Sequence, residues 1–93
     1  MLDLSKYVAG MPIDINGTSI GLYRKDEIGV SEDEFFKYIS VNEAIDYVNN
    51  DENPRKWFHL QSGDVFLEDD AATRKELYEY ICNAVPSYKV CLV

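Results

Sequence analysis

Apolar residues along this chain follow two periods, and each change of period marks the end of an element. Ile13, Ile15, Ile20 and Leu22 alternate with polar or small positions on either side of Asn16-Gly17. Period two is the mark of a half-buried strand. Asn-Gly suits a two-residue type I′ turn, because both positions need positive φ. Residues 12–23 are therefore predicted as a hairpin, with Ile15 opposite Thr18 and Ile13 opposite Ile20. In that register the four aliphatic side chains share one face.

Residues 24–33 are polar and read as a connection. Residues 34–39 (Glu-Phe-Phe-Lys-Tyr-Ile) favour a strand by composition. Ser31-Glu32-Asp33-Glu34 also fits a capping box, which would start a helix at Phe35. A second box, Ser40-Val41-Asn42-Glu43, follows at once and needs an extended residue at Ser40. That requirement favours the strand. Val41, Ala44, Ile45 and Val48 then recur at helical spacing, and the cluster Asp51-Glu52-Asn53-Pro54 ends the helix near Asn50.

Trp57–Leu60 and Val65–Glu68 flank Ser62-Gly63 and are predicted as a second hairpin. Asp70 is a natural N-cap for a helix whose buried stripe is Leu77, Tyr78, Ile81, Cys82 and Val85. Pro86 stops it. The apolar run Tyr88–Val93 reads as a last strand inside the sheet rather than at its wet edge. The expected fold is α+β: a single domain, 1–93, with a mainly antiparallel sheet of five or six strands and two helices packed on one face.

Composition agrees with one packed domain. The chain has 93 residues, of which 46% are hydrophobic and 13% aromatic, enough for a core. No apolar run approaches the ~20 residues of a membrane helix. The N-terminus has no basic start followed by an apolar block, so no secretory signal is read and the cytoplasm is the expected location. The two cysteines, Cys82 and Cys91, make no disulfide framework and are expected as buried thiols.

Charge changes the picture most. Residues 26–52 carry nine carboxylates against Lys37, a balance of −8, while residues 1–25 come to +1 and residues 53–93 to −1. The chain is near neutral except for one acidic band. Such a band repels nucleic acid and membrane surfaces and attracts basic partners.

Catalytic chemistry finds little to work with. One His and two distant Cys do not make a zinc site. Asp64, Glu68, Asp69 and Asp70 lie close in sequence, but they lack the calcium-loop pattern and read as an acidic helix start. His59, set between Phe58 and Leu60, reads as strand packing rather than as a base, and no nucleophile elbow or phosphate-binding glycine loop is present. Arg55-Lys56-Trp57-Phe58 is basic and aromatic, but two charges are too few for a phosphate surface.

In size and charge, though in no motif, the chain resembles small acidic proteins of phage and bacterial conflict systems, such as anti-restriction inhibitors and nuclease immunity proteins. That resemblance implies a surface that imitates the charge array of nucleic acid. The expected function is a non-enzymatic binding module or inhibitor, with no cofactor and no metal. It would engage a basic protein surface through Glu32, Asp33, Glu34, Glu43, Asp46, Asp51 and Glu52, with Tyr47 as an aromatic anchor. Tyr38 is placed at the edge of this patch, and Tyr80 on the exposed side of the last helix. Two alternatives stand beside it. One is an assembly protein that forms a homo-oligomer, a homodimer in the simplest case, through its sheet. The other is a small metal-dependent or carboxylate-based enzyme.

Overall fold

The structure, a computed structural model, describes residues 2–14, 18–25, 36–53, 56–60 and 71–92. Strands β1 (Tyr7–Pro12), β2 (Ser19–Arg24) and β3 (Phe36–Ile39) are followed by helix α1 (Val41–Asn49) and strand β4 (Trp57–Leu60). Helix α2 (Ala71–Ala84), a 3₁₀ turn (Ser87–Lys89) and strand β5 (Val90–Leu92) complete the order. The domain is α+β, with one five-stranded sheet in the order β3-β1-β2-β4-β5.

The sheet is mixed rather than mainly antiparallel. β1 runs antiparallel to both β2 and β3, whereas β2–β4 and β4–β5 are parallel. The helices explain this. A helix between two strands carries the chain back to the end where it started, so the next strand can enter in the same direction. Both edges of β4 are occupied, by β2 and by β5. The second strand of the hairpin expected at residues 65–68 and its Ser62-Gly63 loop lie outside the described residues. Among the described residues β5 has β4 as its single neighbour, so there it is an edge strand and not the interior strand its apolar content predicted.

The first hairpin exists, with a different register. Ala9 faces Leu22 and Gly10 faces Gly21, so β1 begins at Tyr7 and ends at Pro12. The expected register is displaced by two residues. Such a slip preserves the faces, and Ile20 and Leu22 point into the core as expected. Ile13 instead falls beyond β1 and is 58% exposed. Asn16-Gly17 lies outside the described residues.

One core joins the sheet to both helices. Tyr7, Ala9 and Met11 of β1, Ile20 and Leu22 of β2, and Phe58 and Leu60 of β4 meet Val41, Ala44, Ile45 and Val48 of α1 and Leu77, Ile81 and Val85 beside or on α2. Both apolar stripes thus lie over the same sheet face. The α2 stripe differs at its flanks. Tyr78 is exposed and Cys82 only partly buried, whereas Tyr80 and Ala84 pack against the core. Tyr78 and Cys82, one helical turn apart, hydrogen-bond to each other, which raises the Tyr78 phenol above its ordinary value. Cys91 is exposed, against the expectation of a buried thiol. Among the described residues no helix is long and apolar enough to cross a membrane.

Candidate functional site

Helix α1 begins where its sequence says it should. Ser40 is extended, and its Oγ accepts from the Glu43 N–H at 3.1 Å, filling one of the helix's open donors. At about 100° per residue, the apolar stripe of α1 leaves three polar sectors. Asn42 and Asn49 flank the stripe on the α2 side. Glu43 and Asp46 point straight away from the core, and Tyr47 flanks the far side.

The sector toward α2 is a polar seam rather than an open surface. Tyr80 Oη donates to Asn42 Oδ1 at 2.7 Å, and Asn49 Nδ2 donates to the Ala84 carbonyl at 3.0 Å. The second bond satisfies one of the last carbonyls of α2. Tyr80, expected on an exposed side, therefore fixes α1 against α2.

Glu43 and Asp46 are exposed, and their carboxylates have no side-chain partner among the described residues. Tyr47 is 37% exposed beside them. Glu52, also exposed, follows the helix end, where its N–H is held by Asn50 Oδ1 at 3.0 Å. Glu32, Asp33 and Glu34 lie outside the described residues, and so does the rest of the acidic connection.

Asp51 sits differently. Lys89, buried at the end of the 3₁₀ turn just before β5, sends its Nζ to the Val48 carbonyl at 3.1 Å and to Asp51 Oδ1 at 2.9 Å. A cation there satisfies a terminal carbonyl and meets the negative end of the helix dipole. The Lys89 hydrogen bond and charge, with help from Lys56, hold the Asp51 carboxyl below its ordinary value. Lys56 Nζ also donates to the Asp51 backbone carbonyl. Asp51 keeps its side chain 87% in solvent, yet two lysines offset its charge. Of the described acids between residues 26 and 52, Glu43, Asp46 and Glu52 are thus the ones without a cation, and Glu76 and Glu79 of α2 are exposed in the same way.

The opposite face of the molecule has another character. Register-paired positions share a face, and the positions turned away from the helices are Val8 with Tyr23, Gly10 with Gly21 and Tyr38, Pro12 with Phe36, Ser19 with Trp57, and His59 with Gly21 and Cys91. Tyr23 lies across the glycine pair. A Cβ on Gly10 would come within 2.6 Å of Tyr23 Cε2, and one on Gly21 within 3.1 Å of its hydroxyl. Tyr38 meets the Tyr23 ring edge-on, with centroids 6.0 Å apart. Trp57 stands 42% exposed, with its N–H and that of Lys56 both held by the Thr18 carbonyl.

Among the described residues no three His, Cys, Asp or Glu side chains are grouped to hold a metal. The acidic run Asp64, Glu68, Asp69 and Asp70 lies outside them. Sequence reasoning missed the Lys89 clamp, because the lysine meets a helix that ends 40 residues earlier. It also missed the glycine pair, whose closeness depends on register. Comparison of the chain with protein families, with curated proteins and with solved structures finds no match.

Proposed function

We propose that this chain is a non-enzymatic binding module or inhibitor that docks onto a basic protein surface through residues 26–52. The observation that carries the reading is the outer face of α1, where Glu43 and Asp46 project from a rigid helix without a neighbouring cation among the described residues and Tyr47 stands beside them. Unpaired carboxylates on a fixed scaffold lose little on binding, because their geometry is already set. They steer a cationic partner by charge. Tyr47 supplies apolar area and a hydroxyl at small entropic cost. Glu32, Asp33 and Glu34, with the remaining acids of the connection, extend the same charge in sequence, and Glu52 continues it beyond the helix. A partner groove that normally holds nucleic acid has the complementary charge.

The test is affinity capture from the native host with the wild-type chain and with the double variant Glu43→Lys/Asp46→Lys. The captured partner should be basic. It should be released between about 0.1 M and about 1 M salt, as exposed charges are screened, and displaced by heparin. The double variant should capture none of it. Capture that is indifferent to salt, to heparin and to charge reversal rules the reading out.

A further inference from the structure

A thiol and an imidazole stand side by side on the last two strands of the sheet. Phe58 and Val90 are paired and turn toward the core, so their successors His59 and Cys91 are paired on the outer side. Partners in neighbouring strands lie about 4.8 Å apart, which brings two side chains on one face within reach of each other. Cys91 is exposed and His59 half-buried. Neither side chain has a hydrogen bond or ion pair among the described residues. On its other flank His59 is paired with Gly21, and the Tyr23 hydroxyl stands 3.1 Å from where a Gly21 Cβ would lie. The imidazole therefore sits between a hydroxyl and a thiol, in one row across β2, β4 and β5. Cys82 has a different setting: it is partly buried on α2 and hydrogen-bonded to Tyr78.

We propose that Cys91 is a site of reversible thiol–disulfide exchange with a low-molecular-weight disulfide, and that His59 is the base that takes its proton. The acidic docking surface plays no part in this. Only the thiolate attacks a disulfide, so an exposed thiol gains from a proton acceptor beside it. His59 supplies one from the adjacent strand, and the ladder between β4 and β5 sets the spacing of the pair. In the exchange the S–H proton passes to the imidazole, and Cys91 Sγ attacks one sulfur of the disulfide. A new S–S bond forms as the old one breaks. The released thiolate then takes the proton from the imidazolium. Cys91 is oxidised to the mixed disulfide while half of the reagent is reduced to a thiol, so no further oxidant is needed. Cys82 belongs to the helix layer on the other side of the sheet. It cannot displace the added group to close an internal disulfide, and the product remains a mixed one.

Mass spectrometry of the folded full chain after incubation with oxidised glutathione tests the site. The mixed disulfide should form on Cys91 well before Cys82, and a thiol reductant should remove it. His59→Ala should slow the modification of Cys91 about tenfold, below the roughly hundredfold or greater effect of a base in an enclosed site, with the far-ultraviolet dichroism unchanged. Imidazole added to the buffer should restore part of that rate and leave the wild type unaffected, a rescue that lost packing alone would not show. Cys82 should react at one rate throughout. His59→Gln, which keeps polar bulk but accepts no proton, should show the same slowing and replaces the alanine variant should that fail to fold. A wild type whose Cys91 reacts no faster than Cys82 overturns the proposal. So does a folded His59 variant that reacts as fast as the wild type, or a slowed alanine variant that imidazole leaves slow.

Discussion

The helix-covered side of the sheet and its other side obey opposite rules. On the helix side, polar groups are abundant and sorted: Asn42 and Asn49 bind α2, Lys89 and Asp51 close the end of α1, and Glu43 and Asp46 are left to solvent. On the sheet side, no Asp, Glu, Lys or Arg stands at a register-paired outward position among the described residues, and aromatic rings fill the space left by two glycines. The difference teaches that net charge is a poor description of this protein. A value of −8 suggests uniform repulsion. The described surface carries instead one helix face with carboxylates that lack a cation and one sheet face whose register-paired outward positions hold no Asp, Glu, Lys or Arg.

The layer both faces share gives the largest expected effect. Phe58 is fully buried between sheet and helices. Phe58→Ala should cost about 3–5 kcal/mol, a large share of a small domain's stability. Chemical denaturation should show most of the folding transition lost, and both faces should fail together. A variant that loses one activity and keeps the other would show that the faces do not share a core.

Within the sheet face, Gly10→Ala should force the Tyr23 ring off the glycine pair and cost about 1–3 kcal/mol, as overpacking does. In a Tyr23→Ala background the same change should cost much less, because only the tight approach to Tyr38 Cε1 at 3.3 Å remains. A double-mutant cycle measures this coupling. Equal costs in both backgrounds would mean that the ring does not fill the notch.

On the helix side, Lys89→Met keeps the buried stem but leaves the Val48 carbonyl without its donor. The expected loss is about 1–3 kcal/mol, read by denaturation. Asp51 sharpens the point through pH. Its carboxyl is held below the ordinary value of 3.8, so in acid the unfolded chain takes up the proton more readily than the folded one. Its contribution is fully present above that ordinary value and is lost as pH falls through the lower, folded value. Asp51→Asn should flatten this limb of the stability–pH curve. An unchanged acid limb would show that the Lys89–Asp51 pair is not formed in solution.

The smallest stability effect belongs to the residues proposed to bind. Glu43→Lys and Asp46→Lys sit on the open face of α1 and should shift stability by no more than about 0.5 kcal/mol, seen as an unchanged denaturation midpoint. A large loss would place these side chains in the fold rather than at an interface.

Local signals were legible where chemistry and spacing agreed over a few residues. Ser40 caps α1, the stripe Val41-Ala44-Ile45-Val48 is buried, and Trp57–Leu60 is a strand, all as the pattern required. β1 escaped because Ala9 and Gly10 have weak strand preference and dilute the alternation of Tyr7, Ala9 and Met11. On α2, the seam of Leu77 and Ile81 has two flanks. The apolar look of Tyr78 and Cys82 favoured one flank, but α1 lies along the other and covers Tyr80 and Ala84. Of the candidate site, the carboxylates of α1 were readable from helical spacing. The offsetting of Asp51 by Lys89 was not, because their contact joins elements far apart in sequence.

Sequence alone determined the class of fold, the inward faces of β2, β4 and α1, and the gathering of acids between residues 26 and 52. These are properties of near neighbours: period, capping and composition act within a turn or two of chain. Tertiary structure decided the parallel entry of β4 and β5, the pairing that brings Gly10 to Gly21 beneath Tyr23, and the choice of carboxylates left unpaired. Each of these depends on which distant segments share an edge or a helix end, and that is set by how the whole core closes rather than by any local preference.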